Sequence, residues 1–319
     1  MRAFIFPGQG SQAVGMGQAL SDASPVARAV FGEVDEALGQ HLFRTMTEGP
    51  AEDLLLTENA QPAIMANAIA TLRVLEQEGG IRLADKADAV AGHSLGEYTA
   101  LCAADALDLA TTARLLKLRG RAMQAAVPVG EGAMAALLGV DLERARTIAG
   151  AAVDAILAEG GPELVCTVAN DNDPSQVVIS GHRIAIERAV ALAMELGAKR
   201  ALLLPVSAPF HCPLMQPAAD AMDAALAQAD LRAPLVPLYC NVDAVAVADP
   251  GAIRALLVAQ VTGMVRWRES VLAMVDAGVS EFVEFGGKVL APMVKRIAPD
   301  VTATSVVTMD DVEELLKRL

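Results

Sequence analysis

The stretch Ala87-Asp88-Ala89-Val90-Ala91-Gly92-His93-Ser94-Leu95-Gly96 decides the fold. Its apolar first half is typical of a buried strand, and an alanine-rich, helix-favouring segment follows as far as Leu107. Between the two lies GxSxG, the pattern of a nucleophile elbow, in which a tight strand-to-helix turn carries the serine. Small residues are needed there because bulkier ones collide with the strained backbone. The alternative is a glycine-rich turn with an incidental serine, but the strand–turn–helix setting favours the elbow.

An elbow at Ser94 predicts a particular chemistry. The turn exposes the serine hydroxyl and points the first amides of the next helix at negative charge that develops beside it. We therefore expect a covalent acyl-serine intermediate.

Composition limits the class of protein. The 319 residues suffice for one large α/β domain or two unequal ones. Because 54% of the residues are hydrophobic and only 3% aromatic, the core must consist mainly of Ala, Val, Leu and Met. The 39 acidic and 25 basic residues give a net charge of −14, which argues against nucleic acid as a general partner.

No segment predicts export or membrane insertion. The apolar stretch at residues 1–7 is too short for a signal peptide, and the uncharged stretch 201–219 contains four prolines. The four cysteines are scattered without metal-ligand spacing, as expected of free thiols in a reducing compartment. We expect a soluble, cytoplasmic protein.

The order of elements changes near Pro128. Before it, the patterns predict strands and helices at residues 3–6, 24–38, 62–78, 87–91 and 110–123. After it they predict strand 133–140, helix 142–157, strands 164–169 and 176–180 joined by a polar turn at 170–175, helix 183–196 and strand 200–204. This β-α-β-β-α-β order is ferredoxin-like. A strand, a helix and a strand at 236–242, 252–261 and 281–285 then return to the first sheet.

We therefore predict an α/β chain of two parts. Residues 1–128 and 205–319 form a large subdomain with a parallel sheet and the elbow, and residues 129–204 form an inserted ferredoxin-like subdomain. A cleft between two such parts is a common place for an active site.

A serine nucleophile needs a base, and the chain has four histidines. His93 adjoins the serine on a turn where neighbouring side chains diverge, so we expect it to pack or bond locally. His182 begins a helix and His41 has polar surroundings. His211 lies where a proline-rich segment re-enters the large subdomain, and it is the predicted base. No acidic third member follows the order Ser…Asp…His, so a backbone carbonyl or an amide side chain is expected to orient the histidine.

Several separated motifs carry a resemblance that runs from end to end. They are Phe6-Pro-Gly-Gln-Gly-Ser-Gln12, Gln61-Pro-Ala63, Ala91-Gly-His-Ser-Leu-Gly-Glu-Tyr98, Arg119-Gly120, Gln176-Val-Val-Ile-Ser-Gly181, Pro209-Phe-His-Cys212 and Gln260. The chain resembles the bacterial malonyl-CoA:acyl carrier protein transacylases of fatty-acid synthesis and, less closely, the acyltransferase domains of polyketide synthases. The resemblance implies an α/β-hydrolase-like large subdomain.

The resemblance also implies residue roles. It places the nucleophile at Ser94 and the catalytic histidine at His211. The main-chain carbonyl of Gln260 would orient that histidine, and the amides of Gln9 and Leu95 would form the oxyanion hole.

Two further positions concern substrate choice. The resemblance makes Arg119 the residue that binds the free malonyl carboxylate, and a planar two-pronged guanidinium suits a carboxylate better than an ammonium does. From the sequence alone, Arg119 is one exposed basic residue among several on its helix. Phe210 resembles the version of its position that prefers malonyl over methylmalonyl groups.

The implied activity is ping-pong transfer of malonyl from malonyl-CoA to the phosphopantetheine thiol of holo-acyl carrier protein through a malonyl-serine. It needs no metal or redox cofactor, and we expect a monomer without nucleic-acid or membrane partners. The alternatives are a discrete acyltransferase of a polyketide pathway, a serine thioesterase or other hydrolase, and a non-catalytic scaffold. A basic rim is expected to receive the carrier protein, drawn from Lys199, Arg200, Lys288, Lys295 and Arg296.

Overall fold

The computed structural model describes residues 1–319. The strands are β1 (Arg2–Phe6), β2 (Ala89–Gly92), β3 (Gly132–Leu138), β4 (Cys166–Asp173), β5 (Gln176–His182), β6 (Arg200–Leu203), β7 (Leu238–Tyr239), β8 (Ala246–Val247), β9 (Glu281–Phe285) and β10 (Thr302–Val306). The helices are α1 (Gln18–Ala23), α2 (Pro25–Leu38), α3 (Leu42–Glu48), α4 (Ala51–Leu55), α5 (Thr57–Gly79), α6 (Leu83–Lys86), α7 (Leu95–Ala103), α8 (Leu109–Ala125), α9 (Leu142–Ala158), α10 (Arg183–Ala193), α11 (Gln216–Leu226), α12 (Pro250–Thr262), α13 (Trp267–Asp276), α14 (Leu290–Ile297) and α15 (Met309–Leu316).

Six strands form the large sheet, in the order β10-β9-β1-β2-β7-β8. All neighbours are parallel except β8, which runs antiparallel to β7. The central strand β1 is buried on both faces: Phe4 and Phe6 join the main core with α5, while Ile5 packs on the other face with Trp267. Apolar runs without alternation are expected of strands covered on both sides by helices.

Four antiparallel strands form the small sheet, in the order β4-β5-β3-β6, with α9 and α10 connecting them. Alternate residues of β3 serve the two faces of this sheet. Ala135 and Leu137 pack beneath α9 and α10, whereas Met134 and Ala136 belong to the main core. The ferredoxin-like order and the separate parallel sheet confirm the predicted fold class. The subdomain boundaries at 128/129 and 204/205 stay a proposal.

The predicted polar turn at residues 170–175 is wrong in most of its length, because β4 continues to Asp173. Its acidic side chains are buried yet satisfied. Asp171 is 2.8 Å from the guanidinium of Arg268, and Asp173 is 2.8 Å from that of Arg296. The Asp171 N–H also donates to the Val265 carbonyl, at 2.9 Å. Paired charges and main-chain bonds thus let a polar segment fill the contact between the two sheets.

The predicted strand at 236–242 is also too long, because β7 contains only two residues. None of the helices combines the length and the hydrophobicity needed to cross a membrane.

Candidate active site

The predicted elbow is present between β2 and α7. Ser94 has φ 53° and ψ −111°, a strained conformation for a residue other than glycine. A Cβ atom at Gly92 would lie 1.9 Å from the Gly96 carbonyl oxygen, and one at Gly96 would lie 2.2 Å from the Phe6 oxygen. Both positions therefore require glycine, and the first turn of α7 can pass close to β1.

His211 lies beside the serine. Its Nε2 is 2.8 Å from Ser94 Oγ, and its Nδ1 is 2.8 Å from the main-chain oxygen of Gln260. A carbonyl oxygen only accepts hydrogen bonds, so Nδ1 carries the proton and Nε2 is the acceptor. The Ser94 hydroxyl consequently donates to His211.

The environment of His211 keeps its ring neutral. Burial lowers its pKa from 6.5 to about 3, and the positive charge of Arg119 adds to the effect. At neutral pH the imidazole is therefore free to take up a proton.

Arg119 is buried, with only 1% of its surface exposed, so it is not one of the exposed basic residues of α8. Its Nη2 donates to Ser94 Oγ at 3.1 Å and to Gln260 Oε1 at 2.8 Å, and its Nη1 donates to Gln61 Oε1 at 2.9 Å. Its Nε has no partner. The guanidinium thus contacts the Ser94 hydroxyl oxygen, and its Nε–H remains without an acceptor.

The loop after β1 lies against the elbow. A Cβ at Gly8 would come within 2.7 Å of the His93 carbonyl oxygen, so only glycine allows this approach. Gln9 and Leu95 line the same cavity as Ser94, and the main-chain N–H of neither donates to a protein acceptor. Both amides are available to an oxyanion formed next to Ser94.

The cavity has a volume of about 760 Å³ and lies between the two sheets. Ser94, Arg119 and His211 line it from the large sheet side, and Phe210 adds an aromatic wall. The small sheet contributes three amide side chains and two apolar ones: Asn170, Asn172, Gln176, Met134 and Val178. The cavity is therefore lined by every predicted site residue except Gln260. Gln260 lies outside the cavity and contacts His211 and Arg119.

The other histidines do different work. His93 does not bond locally: its Nε2 lies 2.8 Å from Asn172 Oδ1 on β4, so it links the elbow to the small sheet. His182 Nδ1 accepts the Val165 N–H at 2.9 Å. His41 is exposed before α3.

Two residues behind the serine were missed by sequence reasoning. Glu97 Oε2 accepts from Gln260 Nε2 at 2.7 Å, and burial raises the pKa of this carboxyl to about 7. Asn241 contacts the elbow backbone directly. A charged residue inside an otherwise apolar helix is a weak signal for Glu97, and we find none for Asn241.

Part of the expected basic rim is occupied by internal contacts. Lys295 Nζ donates to the carbonyl oxygens of Pro299 and Val301, and Arg296 pairs with Asp173. These two residues stabilise α14 and the contact between the sheets.

A neutral histidine beside a serine at a helix N-terminus, above a parallel sheet, is an arrangement typical of α/β enzymes that use a serine nucleophile. Comparison with known proteins narrows this class. Residues 3–295 match the family model described as acyl transferase domain, and the chain belongs to that family.

Relatives of known activity match over nearly the full length. The malonyl CoA-acyl carrier protein transacylase of Escherichia coli (strain K12) is 46% identical over 305 residues, which cover 95% of this chain and 94% of the relative. The crystal structure of the acyl-carrier-protein-S-malonyltransferase from Bartonella henselae is 51% identical, with a TM-score of 0.94 and coverage of 99% and 98%. A malonyl-transacylase solved in complex with its type II PKS acyl-carrier protein is 38% identical, with a TM-score of 0.93 and coverage of 100% and 99%. These matches confirm the family resemblance.

Proposed function

We propose that this protein transfers malonyl groups from malonyl-CoA to the phosphopantetheine thiol of acyl carrier protein through a malonyl-serine at Ser94, and so supplies malonyl groups for fatty-acid elongation. The observation that carries the proposal is the buried Arg119 guanidinium 3.1 Å from the nucleophile, next to a histidine held ready as a base. A fixed positive charge at that distance favours an acyl group that ends in a carboxylate.

In the first half-reaction, His211 Nε2 takes the proton of Ser94 Oγ while Oγ attacks the thioester carbon. The main-chain N–H groups of Gln9 and Leu95 stabilise the oxyanion. The carbonyl of Gln260 stabilises the protonated ring through Nδ1. The intermediate then collapses, and His211 returns its proton to the departing CoA thiolate.

Arg119 provides selectivity in this proposal. In the free enzyme one Nη2 hydrogen is directed at Ser94 Oγ. Once Oγ is esterified it is a poorer acceptor, and the guanidinium can turn this hydrogen and its remaining donors to the malonyl carboxylate. The Phe210 ring, at the wall of the same cavity, restricts branched acyl groups.

In the second half-reaction the carrier-protein thiol enters the cavity, loses its proton to His211 and attacks the malonyl-serine. Every proton and charge in both halves is handled by side chains and amides, so the reaction requires no cofactor. One chain supplies every residue that the proposed reaction uses, so the reaction does not need an oligomer, and a monomer stays the prediction. The four free cysteines suit a cytoplasmic enzyme.

The test is an acyl-transfer assay on wild type and Arg119→Ala with malonyl-, methylmalonyl- and acetyl-CoA. Hydrogen bonds to charged groups contribute about 1.5–3 kcal/mol each, so losing the two-pronged contact, about 3–6 kcal/mol in all, should lower malonyl kcat/KM by at least about 100-fold. Acetyl transfer should rise relative to malonyl transfer. Arg114→Ala, at an exposed position of the same helix, is the matched control and should stay close to wild type.

Three outcomes would contradict the proposal. Malonate as the main product in the presence of holo-carrier protein would indicate a hydrolase, and absence of a covalent label on Ser94 from radiolabelled malonyl-CoA would indicate a non-catalytic protein. Transfer only to a polyketide carrier protein, when both carriers are supplied, would exclude the role in fatty-acid synthesis.

A further inference from the structure

Strand β7 ends before it reaches the elbow. Val90 pairs with Leu238 and Ala91 with Tyr239, and the pairing stops there. Continuing this register by two residues would place residue 241 opposite His93. In a parallel ladder a main-chain peptide at that position would bond the residues on either side of His93.

The side chain of Asn241 makes these bonds instead. Its Nδ2 donates to the Gly92 oxygen at 2.7 Å, and its Oδ1 accepts the Ser94 N–H at 2.7 Å. The amide group therefore acts as one more peptide unit of β7, at the point where the strand itself has turned away. On the opposite side of the elbow, β1 supplies the equivalent bond from the His93 N–H to the Phe6 oxygen, at 3.0 Å.

The main chain of Asn241 is used elsewhere, which fixes the side chain in place. Its N–H donates to Glu97 Oε2 at 3.2 Å, and its carbonyl accepts the Arg266 N–H at 2.9 Å. Asn241 is fully buried, so no solvent competes for these groups. Gln260 Nε2 closes the network, because it donates to Glu97 Oε2 at 2.7 Å and to the Ser94 carbonyl at 3.0 Å.

This network holds a strained residue. The Ser94 backbone has φ 53°, and its N–H and C=O are both held by amide side chains, those of Asn241 and Gln260. A residue in such a conformation persists only where its surroundings determine it. The direction of Oγ toward His211 depends on that backbone conformation.

We propose that Asn241 is a positioning residue for Ser94. Its side chain supplies the two hydrogen bonds that β7 would make to the elbow if the β2–β7 pairing continued, so that Oγ stays within reach of His211. The role rests on the proposed function, since its purpose is acylation of the serine. Without this amide, the Ser94 N–H and the Gly92 carbonyl lose their partner and the elbow relaxes.

The first test compares Asn241→Ala with wild type in single-turnover acylation of Ser94 by malonyl-CoA. Because a displacement of about 1 Å at a reacting group can cost about 100-fold in rate, we expect a loss of that order with KM changed less than about threefold. Asn67→Ala is the matched control, since this buried asparagine also donates to a main-chain oxygen, that of Gly286, at 2.9 Å. It should lower Tm comparably while keeping the acylation rate within about threefold.

Asn241→Asp gives a readout that a merely structural role would not move. The two residues have the same size, and a protonated aspartic acid can donate to Gly92 while accepting from Ser94 N–H. Burial disfavours the charged carboxylate of this aspartate, so the protonated form becomes more populated as the pH falls. The charged groups around this network are Glu97, at the Asn241 N–H, and Arg119, on the Gln260 side chain. We expect the acylation rate of the variant, divided by that of wild type, to rise at least about threefold from pH 8 to pH 6.

The outcomes separate the two proposals. Acylation of Asn241→Ala within threefold of wild type, or no slower than Asn67→Ala at equal Tm, overturns the inference. If Asn241→Ala does not fold, the Asn241→Asp variant provides the test. A ratio of its acylation rate to that of wild type that does not change with pH overturns the inference. Reaction with a fluorophosphonate needs only the activated serine. A wild type that reacts with this probe and not with malonyl-CoA refutes the proposed function alone, and a slow Asn241→Ala reaction then still supports the positioning role.

Discussion

Glu97→Gln should change how the free energy of unfolding depends on pH, because the carboxyl of Glu97 is buried next to the Ser94 turn. Its Oε2 accepts from Gln260 Nε2 and the Asn241 N–H, whereas its Oε1 has no partner. A glutamine can keep the two accepted bonds and place its NH2 group at the unpartnered position. The substitution therefore removes a titration with little change of shape.

Two buried groups make the free energy of unfolding change with pH in opposite directions. The pKa of Glu97 is raised from 4.5 to about 7, so between these pH values the native state holds a proton that the unfolded chain has lost. Stability from this group is complete below pH 4.5 and is lost as the pH rises to 7. The pKa of His211 is lowered from 6.5 to about 3, so its contribution is complete above pH 6.5 and is lost as the pH falls. Each slope is about 1.4 kcal/mol per pH unit.

In wild type the two slopes cancel between about pH 4.5 and 6.5. Glu97→Gln leaves only that of His211, so the variant should lose about 1.4 kcal/mol per pH unit on acidification through this range. The free energy of unfolding of wild type minus that of the variant should therefore fall by about 3 kcal/mol from pH 4.5 to pH 7.

Urea unfolding at a series of pH values measures this difference. The single tryptophan, Trp267, is fully buried and reports the transition by fluorescence. Glu163→Gln, which removes the same charge from an exposed position, is the control and should track wild type at every pH. A difference between wild type and Glu97→Gln that stays constant from pH 4.5 to 7, or that grows toward high pH, would refute this account of the buried carboxyl.

Two further substitutions test the packing around the site. Gly96→Ala places a methyl group 2.2 Å from a main-chain oxygen of β1, so the rate of Ser94 acylation should fall about 100-fold. The control is Gly150→Ala, which has nothing within 4 Å of its methyl group and should leave the rate unchanged. Single-turnover rates close to wild type for both variants would contradict the close approach. Arg268→Met leaves the buried Asp171 carboxylate unpaired and should cost about 3–5 kcal/mol, against less than about 1 kcal/mol for Arg254→Met in an exposed pair. Equal losses of Tm in these two variants would show that the contact between the sheets does not depend on the ion pair.

Most of the fold could be predicted because its signals are local. The β2 run, the GxSxG turn and the β-α-β-β-α-β order lie in continuous stretches of chain whose apolar period and glycine placement are legible without neighbours. The sequence predictions were wrong where contacts with residues distant along the chain determine the local structure. Residues 170–173 have the composition of a turn, yet Arg268 and Arg296 come from the other end of the chain to make them a buried strand.

The candidate site divides in the same way. Ser94 and His211 are predicted from the motif and by elimination, whereas the roles of Gln9, Leu95, Gln260 and Arg119 come only from the family resemblance. Gln9, Leu95 and Arg119 line the cavity, and Gln260 contacts His211 and Arg119 from outside it. These positions are compatible with the roles, which stay proposals.

The sequence by itself determined the strand–turn–helix at Ser94, because Gly92 and Gly96 are the only residue type that fits where backbones approach within contact distance. It also determined the fold class and the family. Only the tertiary structure decided that Arg119 is buried rather than exposed, that His211 is neutral, and that Asn241 completes the ladder at the elbow. The physical reason is that burial, charge proximity and hydrogen-bond partners depend on segments that are distant along the chain, such as Ser94 and Asn241, which are 147 positions apart.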